Sequence, residues 1–159
     1  MGDALKKRLK QTADFGSPAE EAVLNLMVAA DHVRGRLERA CSEFGITPGQ
    51  YNVLRILRGA HPAGHPRCEI AARLLEKAPD VTRLVDRLES QGLVSRDRSE
   101  EDRRLSVTRI TRKGLGLLER MEPAMDEANS YFRERVSRQD CRVLTRICEG
   151  IYTEEEDEG

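Results

Sequence analysis

The feature that most narrows the fold is a change of hydrophobic period at Gly92. Before it, Val81, Leu84, Val85 and Leu88 recur at three- and four-residue steps, which predicts a helix over residues 79–91 that Gly92 closes. After it, residues 93–98 and 105–110 alternate apolar with polar and flank a charged tip at residues 99–104, the pattern of a β-hairpin with a long polar end. A shorter helix is predicted just upstream, over residues 67–75, with Ile70, Ala71 and Leu74 inward.

Helices surround this unit. Ser17-Pro18-Ala19-Glu20 combines a Ser cap, Pro at the first helical position and Glu three residues after the cap. Val23, Leu26, Ala30, Val33, Leu37, Ala40 and Phe44 then hold one apolar face until Gly45. Thr47-Pro48-Gly49-Gln50 repeats the start signal for a short helix carrying Tyr51, Leu54 and Leu57 and ending at Gly59. Pro62, Gly64 and Pro66 make residues 60–66 a loop. Beyond the hairpin, Thr111 caps a helix with the stripe Leu115, Leu118, Met121, Met125, Ala128 and Phe132, in which Pro123 predicts a bend. Ser137 with Asp140 starts the last helix, bearing Cys141, Leu144, Cys148 and Ile151.

Two short helices joined by a tight turn and followed directly by a two-stranded ribbon make a winged helix-turn-helix, whose second helix enters the major groove of DNA. The fold class expected is therefore mainly α with a small β-hairpin wing. On the second helix Thr82, Arg83, Asp86 and Arg87 share the outward side, opposite the apolar one. Arg pairs bidentately with guanine or holds phosphate, and the Thr methyl touches a thymine methyl. Taken alone, this helix is equally consistent with a solvated, ion-paired face. The ribbon favours DNA, because Asp102, Arg103 and Arg104 stand at its tip, where long cations serve no core and a narrow, negative minor groove attracts arginine. Alternation along the tip puts Asp102 and Arg104 on one side and Arg103 on the other, so that Asp102 is placed to brace Arg104.

Charge patterning agrees. The net charge of −1 conceals six acids and no base in residues 149–159, without which the remainder is +5. Five bases and no acid fall in residues 103–113, and Lys6, Lys7, Arg8 and Lys10 form a second group that reads as solvated surface. With 38% hydrophobic residues the chain can bury a core, and 159 residues suit one domain. No window approaches a membrane span and the first ten residues lack a secretory apolar run, so a soluble cytoplasmic protein without membrane association is expected.

The runs Ile46-Thr47-Pro48-Gly49-Gln50-Tyr51-Asn52-Val53-Leu54, Val81-Thr82-Arg83-Leu84-Val85-Asp86-Arg87-Leu88-Glu89 with Gly92-Leu93-Val94, and Glu101-Asp102-Arg103-Arg104 through Ile110-Thr111 and Gly114 resemble the MarR family of bacterial transcriptional regulators. The likeness extends over about residues 20–150 and its wing motif is specific. It implies a homodimer joined by the first and the last two helices, usually a repressor bound to an inverted-repeat operator, and often released by a phenolic or aromatic acid or by thiol oxidation. It also implies recognition-helix roles for Thr82, Arg83 and Arg87, a bracing role for Asp102 and a minor-groove role for Arg104. Leu75 departs from the usual Gly of the turn, and the loop at residues 60–66 is about two residues longer than usual. The resemblance places an effector cleft between the first two helices and the start of the fifth, where His32, Arg36 and Tyr51 are the polar residues, Arg36 suiting an aromatic carboxylate.

The expected division is a helical dimerisation region at residues 17–45 and 111–152, a DNA-binding region at 46–110, and flexible ends at 1–16 and 153–159. Dimerisation also follows independently from terminal helices whose apolar faces need a cover. Cys41, Cys68, Cys141 and Cys148 show no C-x-x-C or paired His spacing, and His32, His61 and His65 share no ligand spacing, so neither metal nor cofactor is expected. Cys141 and Cys148 share a helix face with Leu144 and Ile151 and read as small buried hydrophobes, whereas Cys68, near a helix start, is the best redox residue. No G-x-S-x-G or phosphate loop occurs, which disfavours an enzyme. The alternatives are a thiol-based redox-sensing regulator and a winged-helix protein-interaction module that does not bind DNA.

Overall fold

A computed structural model describes residues 3–76, 80–98 and 106–153. The elements are α1 (Asp3–Leu9), α2 (Pro18–Ser42), α3 (Pro48–Gly59), β1 (His65–Pro66), α4 (Arg67–Arg73), α5 (Val81–Ser90), β2 (Val94–Arg98), β3 (Ser106–Ile110), α6 (Arg112–Arg135) and α7 (Arg138–Tyr152). Ser17, Thr47, Thr111 and Ser137 each accept a hydrogen bond from the backbone N–H three residues on, capping α2, α3, α6 and α7 as the spacing predicts. At α3 the box is reciprocal, since the Gln50 side chain accepts the Thr47 N–H at 2.8 Å.

The core lies where α3, α4, α5 and α6 meet the inner face of the sheet. Cys41, Val53, Leu54, Leu57, Ile70, Leu88, Leu118 and Met121 are fully enclosed there. Long helices α2 and α6 run antiparallel, for Arg36 stacks on Tyr131 while residues 39–43 face residues 124–128. α6 continues through Pro123 as one helix.

Three features differ from the sequence expectation. Residues 1–16, expected as a flexible end, contain α1, in which Leu5 is buried, and Lys6 pairs with Asp14 across the following turn. The expected two-stranded ribbon is a three-stranded antiparallel sheet of order β1-β3-β2. The end of the predicted 60–66 loop supplies β1, with His65 opposite Thr108 and Pro66 opposite Val107. Gly64 makes that return possible, because its φ is +77° and a Cβ there would stand 2.3 Å from the Thr108 carbonyl oxygen. Finally, Cys141 and Cys148, expected as small buried hydrophobes, are half-buried on α7, where no residue is buried; the apolar faces of the terminal helices lack within the chain the cover that the sequence says they need, Val23 and Met27 of α2 being 56% and 64% exposed.

Candidate nucleic-acid interface

α5 begins at Asp80, whose carboxylate accepts the Arg83 N–H at 3.0 Å. The apolar period then decides its orientation. Val85 and Leu88 are buried, Leu84 packs against the core, and Arg83, Asp86 and Arg87 are turned to solvent. The turn before α5 is pinned from α3, where the Asn52 side chain accepts the Leu75 N–H at 2.8 Å, and from α2, where Arg34 reaches Glu76 at 3.3 Å. Lys10 is the one non-glycine with positive φ among the described residues, so Leu75 occupies the usual glycine position of this turn without left-handed backbone.

The outward side chains of α5 divide by their partners. Thr82 Oγ1 accepts from Arg67 at 3.0 Å, which ties the start of α5 to the start of α4. Arg83 meets Asp80 at 3.1 Å in an exposed pair, an arrangement worth little and easily released. Asp86 is held by Arg96 of β2 at 2.8 Å. Arg87 is exposed and makes no ion pair among the described residues. Arg96 also donates through Nε to Glu89 at 2.9 Å, and that bond holds the Glu89 carboxyl below its ordinary range and raises the guanidinium of Arg96.

Two of the five bases at residues 103–113 are committed to structure. Arg109 of β3 pairs with Asp97 of β2 at 3.0 Å on the outer face of the wing, and Lys113 donates to the Gln91 carbonyl at 2.7 Å, covering the end of α5. Asp102, Arg103 and Arg104, the predicted tip contacts, lie outside the described residues. Arg67 and Arg96 were not singled out in the sequence. The signal for Arg96 was strand parity, since it shares the face of buried Val94 and so points at α5.

The three predicted effector residues are not gathered together. Tyr51 lines a cavity of about 400 Å³ between α3 and α6, with Arg55, Arg58, Leu118, Glu122 and Met125. His32 and Arg36 instead gather at Tyr131 of α6: the guanidiniums of Arg36 and Arg135 lie 4.0 and 3.6 Å from its ring centre, and the His32 ring 5.2 Å away. Arg36 Nε is buried without a hydrogen-bond partner among the described residues. Cys68 is exposed on the first turn of α4, whereas Cys41 is enclosed, and burial pushes its thiol up to about 11. No group of three or more His, Cys, Asp or Glu able to hold a metal occurs among the described residues, nor does a helix long and apolar enough to cross a membrane.

Comparison with known proteins places this geometry. Residues 46–106 match the model of the MarR family. A MarR transcription factor from Planctomyces limnophilus is 36% identical with a TM-score of 0.67, over 86% of this chain and 98% of that one. The transcriptional repressor CouR, solved on a 23-mer DNA duplex, is 27% identical with a TM-score of 0.75, over 89% of this chain and 99% of its own; CouR from Rhodococcus jostii RHA1 has also been solved with p-coumaroyl-CoA. The transcriptional regulator PapX of Escherichia coli is 31% identical over 145 residues, 87% of this chain and 85% of that protein.

Proposed function

From the premise that the chain belongs to the MarR family of transcriptional regulators, we propose that it acts as a homodimer on inverted-repeat DNA, as a cytoplasmic repressor whose hold a small aromatic acid loosens. The observation that carries this reading is the outer face of α5. Arg83 and Arg87 stand exposed beside the wing while Val85 and Leu88 fix the helix from behind, so rigid backbone presents flexible cations to a groove. In this reading residues 46–110 form the DNA-binding region, and residues 17–45 with 111–152 form the dimerisation region. Thr82 is a positioning contact on α5, and Asp102, Arg103 and Arg104 complete the interface from the wing tip.

Selection of bound duplexes from a random pool tests the proposal. Enrichment of an inverted repeat with half-sites about one helical turn apart is expected, and a pool that shows no enrichment overturns it. On the selected duplex, Arg87→Ala or Arg83→Ala should weaken binding by about 1–3 kcal/mol, and less on a scrambled duplex.

The cavity between α3 and α6 supports the effector part. Arg55, 6.0 Å from the Tyr51 ring centre, offers a guanidinium to a carboxylate, and Tyr51 and Met125 offer apolar surface to a ring, in a cavity within the size range of small-molecule pockets whose Arg58 meets Glu122 at 3.7 Å and whose wall also carries Asp126. His32 and Arg36 lie outside that cavity, against Tyr131 of α6. Titrating salicylate against a preformed protein–DNA complex should release DNA from the wild type and release less from Arg55→Ala.

A further inference from the structure

One side chain joins the wing to α5, and neither the core nor the proposed DNA contacts account for it. Arg96 sits in the middle of β2, opposite buried Thr108 of β3, on the pleat face that also carries buried Val94. That face looks toward α5, so the side chain crosses from the sheet to the helix. Its Nη1 lies 2.8 Å from Asp86, its Nε donates to Glu89 at 2.9 Å, and its Nη2 meets the same Glu89 oxygen. One planar fork therefore spans two carboxylates a turn apart on α5. Side chains this open to water form ion pairs that add little to folding stability, because solvent screens them. Their geometry is nevertheless narrow, since a guanidinium fork accepts only a small range of relative orientations.

The sign of the charge matters as well. Two unpaired carboxylates on the groove-facing helix would repel a polyanion, and the single positive charge of Arg96 offsets half of theirs while its fork turns Asp86 back toward the wing.

We infer that Arg96 is a positioning residue for DNA readout: its bonds to Asp86 and Glu89 set the angle between α5 and the wing, and Asp86 acts through Arg96 rather than on a base. This rests on the reading of α5 as the helix that enters the groove. Where the angle is set, Arg83 and Arg87 meet base edges in the same register in which the wing meets its own part of the duplex. Where it is not, each element still binds backbone, but the two no longer share one register.

A double-mutant cycle on the selected operator tests this, with melting curves to confirm that every variant is folded. Arg96→Lys keeps the charge and loses the fork, and Asp86→Asn keeps the shape and loses the charge. Each should reduce the preference for the operator over a scrambled duplex by about tenfold, and the double variant should be no worse than the weaker single one. Glu89→Gln should act in the same direction, and the slope of affinity against salt should stay that of the wild type, because no phosphate contact is lost. Tighter binding by Asp86→Asn, a changed base preference at one operator position in that variant, additive losses in the cycle, or wild-type behaviour of Arg96→Lys would each overturn the inference. A wild type that prefers no duplex would instead overturn the proposed function.

Discussion

Gly114, at the start of α6, shows how little room single residues have at the base of the wing. A Cβ there would lie 2.3 Å from the Leu93 carbonyl oxygen and 2.7 Å from the Ile110 side chain, and the first of these is backbone that cannot rotate away. Gly114→Ala should therefore separate α6 from the sheet and destabilise the fold by about 1–3 kcal/mol or more, read as a lowered midpoint in a urea melt. The cysteines differ just as sharply. Burial favours the neutral thiol of Cys41, so its contribution to stability is fully present below the ordinary value of 9.0 and is lost as pH rises through about 11. A colorimetric thiol reagent at neutral pH should modify exposed Cys68 within the mixing time and reach Cys41 only on unfolding, and a Cys68→Ser variant that keeps the fast phase would refute the assignment. If peroxide releases DNA, the same variant shows whether Cys68 is the sensor.

At the scale of elements, helix starts were the most legible feature of the sequence, because a cap is a local contract between residues three apart. Ser17, Thr47, Thr111 and Ser137 all fulfil it. The reciprocal box at Thr47 closes two backbone donors at the head of α3, which carries three enclosed core residues, Val53, Leu54 and Leu57, so Thr47→Ala should cost about 1 kcal/mol by thermal denaturation. What escaped the sequence depends on distant partners. β1 has two residues and no period of its own, and its existence is decided by Thr108 and Val107 across the fold. α1 is only seven residues long, too short to show a helical period, and is held by burial of Leu5. His32, Arg36 and Tyr51 stand on neighbouring elements, yet periodicity does not tell how two helices are rotated against each other; Arg36 turns to Tyr131 while Tyr51 faces the α3–α6 cavity. The outward face of α5 was legible, because a helix with Val85 and Leu88 inward has one other side. Its internal economy, with Asp86 held by a strand, was not.

For the whole molecule, the uncovered terminal helices are the main unsettled surface. Val143, Leu144, Ile147, Ile151 and Tyr152 leave the apolar side of α7 in water, and Val23, Leu26, Met27 and Val33 do the same along α2. A second copy related by a twofold axis would cover both, in keeping with the proposed dimer. Ile147→Glu should then yield monomers by sedimentation and abolish cooperative binding to an inverted repeat, while binding to an isolated half-site persists; a dimer unchanged by this substitution would move the interface elsewhere. The pairing of β1 with β3 has a further consequence, for the heritability of operator preference. Because His65 is hydrogen-bonded into the strand that contains Thr108, α4, α5 and the wing belong to one loop of chain whose two ends are fastened to each other. A transplant of residues 67–91 between relatives would set a foreign helix pair against a resident sheet and break the match across Arg96, Asp86 and Glu89. A transplant cut at residues 60 and 111 carries Arg96, Asp86 and Glu89 together, so under the proposed function the closed loop is the segment that would transfer operator preference while the proposed dimerisation helices stay with the recipient.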